Sequence, residues 1–399
     1  MTNRLYYDNA YLTQFDAQVL KCIPRGDVYD VLLDRSAFYP TSGGQPFDTG
    51  TLGDTCVVDV NVTDGEVWHT VDAPLREGSE VHGEIDWPRR FDHMQQHAGD
   101  HVIAGALHRM MGGVTIGLHV SEEISTIDVA MPGGATRISD GDIRRIELDV
   151  NEHIQRDVPI RCWFPSEEEL PTLPLRKKPT VSEHVRIVAI GDDEMVACGG
   201  THPSTAGQIG LVKIVSVAPA RGKMRLAFLA GQRALNDYLN CHQAAHAAAE
   251  LFSTGVSSLT SSIRSMQERL HVAEYELVRL RREQLLSGAD GMLAKAERLP
   301  DGTRLIAQFV EADGMLLREL TSKLIESSGV IAMLGAMNGE QAVYVFGRSA
   351  DVNANMGALL RDAARPLGGK GGGKPDFAQG GGPKEVLAAA RNRLKEVLA

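Results

Sequence analysis

Residues 91–101, FDHMQQHAGDH, and residues 197–202, ACGGTH, decide how this chain must fold, because they place metal-ligand side-chain types on two segments about a hundred residues apart. Apolar residues at Val102, Ile103, Leu107 and Met111 predict a helix through the first stretch, with His93 and His97 at i, i+4 on one face. In the second, Gly199 and Gly200 allow a tight path, φ > 0 included, that turns Cys198 and His202 toward a common point. His93, His97, Cys198 and His202 then form a mixed imidazole and thiolate set of the kind that holds Zn2+. A plainer reading competes, since 13 histidines in 399 residues make an HxxxH spacing easy to meet by chance. The two halves taken together, with a double glycine in one and His101 beside the other, favour the metal.

Working outward, a chain of 399 residues predicts about two to four domains, and 43% hydrophobic content is enough to build real cores. No apolar run approaches the ~18 residues of a membrane span, and MTNRLYYDNAYLTQF lacks the basic start and apolar centre of a signal peptide. A cytoplasmic protein is expected, with no membrane partner. Cys22, Cys56, Cys162 and Cys241 show no paired spacing, so reduced thiols are expected. A net charge of −11 argues against broad nucleic-acid affinity. Any such contact must use local basic patches: Arg89 and Arg90; Arg176, Lys177 and Lys178; Arg221, Lys223 and Arg225; or Arg279, Arg281 and Arg282. Each reads more readily as a solvated face than as a nucleic-acid contact.

Short β-type runs at 17–22, 28–34, 57–62, 67–71 and 80–86, separated by turn residues, predict a small β-barrel over residues 1–90. Residues 91–230 mix helices with strands near 185–190 and 209–217, an α+β domain that carries the proposed ligands. Between Pro219 and Pro300 there is no proline, and Phe252, Val256, Leu259, Ile263, Met266, Leu270, Ala273, Leu277 and Leu280 alternate spacings of four and three. That heptad seam predicts a long helical segment over 231–299, a hairpin or coiled coil, with a break at 253–255 and a turn at 287–291. It leaves a homodimer and a monomer both open. From 300 to 399, β runs at 303–311, 330–335 and 342–347 alternate with helices at 314–327, 352–364 and 385–398, an α/β domain. The whole is an α+β multidomain chain. Within its last part, the glycines and two lysines of residues 368–374 predict either a phosphate-binding concavity or a flexible linker.

The runs FYPTSGGQPFDTG (38–50), HMQQHAGDH (93–101), ACGGTH (197–202) and GGKGGGKPDFAQGGG (368–382) stand in this order. With them the chain resembles the editing region and C-terminal domain of alanyl-tRNA synthetase. More closely, it is similar to the long free-standing form of that region, the AlaX family of alanyl-tRNA editing proteins, over nearly its whole length. The resemblance implies a zinc-dependent trans-editing hydrolase that deacylates Ser-tRNA(Ala), with Gly-tRNA(Ala) as a further substrate and tRNA(Ala) as partner. It implies a DHHA1-like tRNA-binding domain at 300–399, with Lys370, Gly371, Gly372 and Lys374 at the tRNA. The glycine-rich editing loop begins near position 38 and no GxxxxGK[ST] loop is present, so hydrolysis without charging is expected.

Why such an activity is needed follows from recognition energetics. An alanine site excludes glycine by only about 1–3 kcal/mol, and it cannot firmly reject serine, which merely adds a hydroxyl. A second site must hold polar groups that only serine satisfies. Thr41, Ser42 and Gln45 of the TSGGQ loop are the candidates, with Gly43 and Gly44 wrapping the aminoacyl group; an ordinary strand-joining turn is the plainer alternative. His101 is a candidate base, or a support for the metal ligands, or a packed core residue. Four protein ligands would close the site, whereas catalytic zinc keeps a position open. Ala98 departs from the Thr or Ser common in the family after the second histidine, which shifts serine selection further onto the TSGGQ loop. Two other functions stay in play: a noncatalytic tRNA-binding protein with structural zinc, and a deacylase for another mischarged tRNA such as Ser-tRNA(Thr).

Overall fold

Strict alternation builds the first part of the chain, because successive strand residues face opposite ways. Strands β1 (Gln14–Arg25), β2 (Val28–Leu33), β3 (Gly50–Leu52), β4 (Thr55–Thr63), β5 (Glu66–Val71) and β6 (Glu80–Ile85) close into a barrel in the order β1-β2-β5-β4-β3-β6. Phe15, Ala17 and Val19 of β1 enter its core with Val81 and Ile85 of β6. Gly83 takes the inward position between the last two because the Phe15 ring fills it; a Cβ there would lie 2.4 Å from that ring. Strand β3 was not expected, since three residues starting with glycine display no period. The computed structural model describes residues 2–179 and 184–398, in two compact units, Met1–Ala247 and Ala248–Ala399.

Helix α1 (Trp87–Met111) follows the barrel. The Asp86 side chain caps it by accepting from the Arg89 backbone N–H at 3.3 Å, Pro88 sits in its first turn, and Gly112 ends it in the left-handed region at φ 66°. Residues 93–107 are all buried, so the helix is enclosed on every side. Strands β7 (Val114–His119) and β8 (Ser125–Ala130), helix α2 (Asp140–Gln155), strands β9 (Ile160–Trp163), β10 (Ile187–Ile190) and β11 (Glu194–Ala197), and the hairpin β12 (Val212–Ala220) with β13 (Lys223–Ala230) enclose it. They form a four-stranded antiparallel sheet, β12-β13-β8-β7, and a three-stranded one, β9-β10-β11. Ala98, Val102, Ile103 and Ala106 pack on Ile127, Leu226 and Phe228 of the larger sheet. Ala98 is therefore a core residue. Gly99 permits the close approach, for a Cβ there would stand 3.0 Å from that of Ala230.

A buried ion pair ties helix to barrel. Arg90 and Asp48 are both fully buried. The guanidinium reaches both carboxylate oxygens from Nε at 2.9 Å, and it also donates to the carbonyls of Ala10 at 2.9 Å and Ala37 at 2.6 Å. Asp48 accepts in addition from the Tyr39 N–H at 2.5 Å. Arg90 is thus no tRNA contact. In the other basic patches some members are paired: Arg176 with Glu194 at 2.6 Å, Arg225 with Asp128 at 2.7 Å, Arg279 with Glu276 at 2.6 Å, and Arg282 with Glu319.

Helix α3 (Gln232–Leu251) carries the chain into the second unit, where α4 (Leu259–Ser287) holds most of the heptad seam. The expected break at 253–255 separates them. At 287–291, however, Gly288 alone interrupts the helix before α5 (Ala289–Ala294), and its backbone stays in the right-handed region at φ −74°. No residue of α4 is buried, and Met266, Leu270, Leu277 and Leu280 are 58%, 57%, 49% and 54% exposed. Beyond it come β14 (Glu297–Arg298), β15 (Arg304–Phe309), helix α6 (Gly314–Ile325), β16 (Val330–Asn338), β17 (Gln341–Arg348), helix α7 (Met356–Ala364), β18 (Lys370–Gly373), β19 (Phe377–Gly382) and helix α8 (Glu385–Leu398). The strands form one sheet, β14-β15-β16-β17-β19-β18, in which only β15 and β16 run parallel. Ile331 and Met333 enter the core beneath α7 and α8, while Val330, Ala332 and Leu334 enter the one beneath α6.

The glycine cluster is part of the sheet and not a linker. Lys370–Gly373 is the edge strand, paired antiparallel with Phe377–Gly382. A Cβ on Gly371 would meet Leu360 of α7 at 2.9 Å, and one on Gly357 would meet the Gly373 carbonyl at 2.4 Å, so these glycines let helix and sheet touch. Lys370 and Lys374 remain exposed. Among the described residues no helix is long and apolar enough to cross a membrane.

Removing one partner of a buried pair strands the other charge. Arg90→Met is expected to cost about 3–5 kcal/mol in urea unfolding, with the Arg90→Met/Asp48→Leu double variant recovering part of it; an unfolding midpoint equal to wild type in Arg90→Met would refute the structural role.

Candidate metal centre

Three imidazoles and one thiol converge beside the barrel. Potential ligand atoms of His97, His101, Cys198 and His202 all lie within 4.8 Å of one another. The ring centroids form a near-equilateral triangle, 5.0 Å from His97 to His101, 4.7 Å from His97 to His202 and 4.9 Å from His101 to His202. Cys198 Sγ stands 3.3 Å from His97 Nε2 and 3.4 Å from His202 Nε2.

The structure brings together three of the four expected ligands and substitutes His101 for His93. On α1 the histidines follow at i, i+4 and i+8, so the sequence offers two overlapping pairs with identical spacing. Only the position of the Cys198–His202 loop chooses between them, and that is tertiary information. His93 lies one turn away, buried and close to Arg89, Arg233 and Arg90; burial first, then those positive charges, hold its pKa at about 3.

The loop itself is shaped by one missing side chain. Neither Gly199 nor Gly200 adopts positive φ, contrary to the freedom the sequence allowed them. A Cβ on Gly200 would fall 2.2 Å from His97 Cε1, so glycine is required there for room. Cys198 is anchored as its N–H donates to the Arg186 carbonyl at 2.9 Å. The Arg186 guanidinium donates back to the carbonyls of Cys198 at 3.2 Å and Gly200 at 2.8 Å.

The TSGGQ loop serves the cluster in a way the sequence did not reveal. Ser42 and Gln45 exchange backbone bonds at 3.1 and 2.9 Å around Gly43 and Gly44, both at positive φ, as a two-residue hairpin turn demands. Gln45 is fully buried. Its Oε1 accepts from the Thr201 N–H at 3.2 Å, which fixes the amide orientation, while its Nε2 donates to Thr201 Oγ1 at 2.8 Å. The same Oε1 lies 2.8 Å from His97 Nδ1, which must then carry the proton and leave Nε2 free to face the cluster. Ser42 and Gly43 line the adjoining cavity of about 700 Å³ with His97, Asp100, His101 and Cys198, whereas Thr41 is exposed and outside that lining.

The electrostatics suit a cation. Burial holds the His97 pKa at about 3 and keeps His101 and His202 well below the ordinary imidazole value, so the rings are neutral donors. Both ring nitrogens of His101 and Nδ1 of His202 are buried with no hydrogen-bond partner, an expensive state that a bound ion relieves. Burial pushes the Cys198 thiol up to about 12, and only a metal at this position makes the thiolate accessible near neutrality. Asp100, also buried, has its carboxyl pushed up to about 7, with Oδ2 3.7 Å from His101 Nδ1. One sulfur with three imidazoles is a donor set that fits Zn2+.

Three family profiles match the chain: "tRNA synthetases class II (A)" over residues 3–89, "Threonyl and Alanyl tRNA synthetase second additional domain" over 185–226 and "DHHA1 domain" over 302–399. Among curated proteins, the alanine–tRNA ligase of Natronomonas pharaonis is 32% identical, over 100% of this chain and 44% of the ligase. That of Halobacterium salinarum is 33% identical over 100% and 44%, and that of Archaeoglobus fulgidus 32% over 95% and 42%. The chain spans less than half the length of these relatives. Among solved structures, the C-Ala domain from Aquifex aeolicus alanyl-tRNA synthetase is 27% identical, with 26% of this chain and 96% of that one covered, at a TM-score of 0.23.

Two outcomes follow from this geometry. Elemental analysis should find one equivalent of zinc, lost in His101→Ala and kept in His93→Ala; the reverse pattern would return His93 to the ligand set. In the metal-free protein the folded His97 pKa of about 3 lies below the unfolded value of 6.5, so only the unfolded chain takes up a proton between them. Stability should therefore be full above pH 6.5 and fall on acidification, by about 2 kcal/mol from His97 alone between pH 6.5 and 5. A urea midpoint flat over that range would contradict the buried neutral rings.

Proposed function

The chain belongs to the AlaX-like alanyl-tRNA editing family, and from that premise we propose that it hydrolyses the ester joining serine to mischarged tRNA(Ala), with glycine as a further substrate. The observation that carries the reading is the charge of the cavity above the histidine–cysteine cluster. Its lining holds Arg4, Arg176, Lys177, Lys178 and Arg186 against one carboxylate, Asp100, in a chain of net charge −11. Even with Arg176 committed to Glu194, this is where a polyanion is drawn in while the acidic remainder repels it elsewhere.

His97, His101, Cys198 and His202 would hold Zn2+, which supplies Lewis-acid polarisation of the ester carbonyl or a more acidic water. Gln45 keeps the His97 tautomer that directs Nε2 at the cluster. Arg186 and Gly200 hold the Cys198–His202 loop against that ring. Asp100 stands ready to take a proton as water adds and to return it to the departing ribose hydroxyl. With Gln45 committed to His97 and Thr201, sensing of the serine hydroxyl falls to Ser42 and the neighbouring backbone; an alanine methyl would leave such groups unpaired at about 1–3 kcal/mol each. Lys370, exposed at the start of the edge strand, and Lys374, exposed just past its end, with Gly371 and Gly372 between them, are the proposed contacts to the body of the tRNA.

The test is deacylation by zinc-quantified protein of Ser-tRNA(Ala), Ala-tRNA(Ala) and Ser-tRNA(Thr). Serine should be lost from tRNA(Ala) alone, and Gln45→Ala should lower kcat/KM by about tenfold to a hundredfold. Loss from Ser-tRNA(Thr) instead would reassign the substrate, and no cleavage by fully loaded protein would leave a noncatalytic binder.

A further inference from the structure

Beside the cavity stands an aromatic side chain that neither the metal cluster nor the core uses. Phe164 is 48% exposed, yet its ring is held in place. It packs edge to face on Tyr7, with centroids 5.5 Å apart and planes at 74°. Tyr7 in turn packs on the buried Tyr6 at 4.7 Å and carries the guanidinium groups of Arg186 at 5.3 Å and Arg4 at 5.9 Å from its ring centre. An aromatic ring immobilised this way gives up little entropy when something lies against its free face.

Its placement relative to the cluster is set by strand register. Trp163 pairs with Ile187, and Ile187 with Ala197. One residue further along, Phe164, Arg186 and Cys198 stand in a row across the three strands, with Cys198 N–H bonded to the Arg186 carbonyl at 2.9 Å. Two strand spacings separate Phe164 from the metal ligand, about 10 Å. That is the span of a single nucleotide, from a ribose hydroxyl at the cluster to the base attached to the same ribose.

The geometry points to Phe164 as the stacking platform for the terminal nucleobase of the RNA, with Tyr7 bracing it and Arg4 placed for the adjoining phosphate. The assignment rests on the hydrolase reading above for the identity of the nucleotide. Unpaired RNA ends are recognised by stacking on aromatic faces beside cationic groups, which this corner of the cavity combines. Aromatic stacking tolerates any base, so the platform fixes the end of the chain and leaves selection of the acyl group to the TSGGQ loop.

The experiment uses full-length, zinc-loaded protein and an RNA hairpin with a single-stranded CCA end whose terminal adenosine is replaced by 2-aminopurine. Stacking quenches this base. Wild type and Phe164→Tyr should quench it saturably, while Phe164→Ala, a change at a half-exposed site that spares the core, should lose the quench and bind about tenfold or more weakly. Equal quenching by Phe164→Ala, or none by wild type, would overturn the assignment. Deacylation of Ser-tRNA(Ala) run alongside separates the two ideas: quenching without hydrolysis refutes the hydrolase and keeps the platform, and hydrolysis with an unaltered KM in Phe164→Ala does the reverse.

Discussion

The buried pair of Arg90 and Asp48 is the constraint from which the site is assembled. A guanidinium with no access to water must have its donors met, and here they are met by one carboxylate and the carbonyls of Ala10 and Ala37 beside the barrel strands. Because Asp48 lies at the end of the glycine-rich loop and Arg90 in the first turns of α1, the bond fixes loop against helix. Gln45, three residues before Asp48, is thereby brought beside His97, seven residues after Arg90. A hydrophobic contact could hold the same elements together, but it would not fix their register as a forked donor does.

The cluster then sets neutral, poorly solvated donors around a point and leaves several without partners. Burial does this to every member in the same sense, lowering the imidazoles and raising the thiol. Such an arrangement is costly for a protein without its ion and favourable with it, so metal affinity and folding are coupled here. The cationic cavity lining has a different task. It acts at longer range, is weakened by salt, and governs which molecules arrive.

Much of this was legible in the sequence, for identifiable reasons. Period-two alternation marked most barrel strands, and the α/β pattern after Pro300 survives with small shifts at its ends, because both signals are local. The assignment of His93 failed because HxxxH occurs twice in FDHMQQHAGDH and nothing local distinguishes the copies. Gln45 read as a substrate sensor because an amide in a glycine loop advertises polarity without saying toward what. Gly200 and Gly371 read as conformational freedom when both are matters of space, one for a ring and one for a leucine. Arg90 looked like surface charge. Phe164 carried no signal at all, since an aromatic at a strand end is unremarkable until its neighbours across two strands are known.

The order of the ligands along the chain has a consequence for synthesis. His97 and His101 leave the ribosome about a hundred residues before Cys198 and His202, which at ordinary elongation rates is on the order of 5–20 s. During that interval the nascent chain presents a helical histidine pair with no thiolate to complete it. The four-residue set is complete only once the CGGTH loop has emerged, and Gln45, made earlier in the chain, is the residue that orients the first ring.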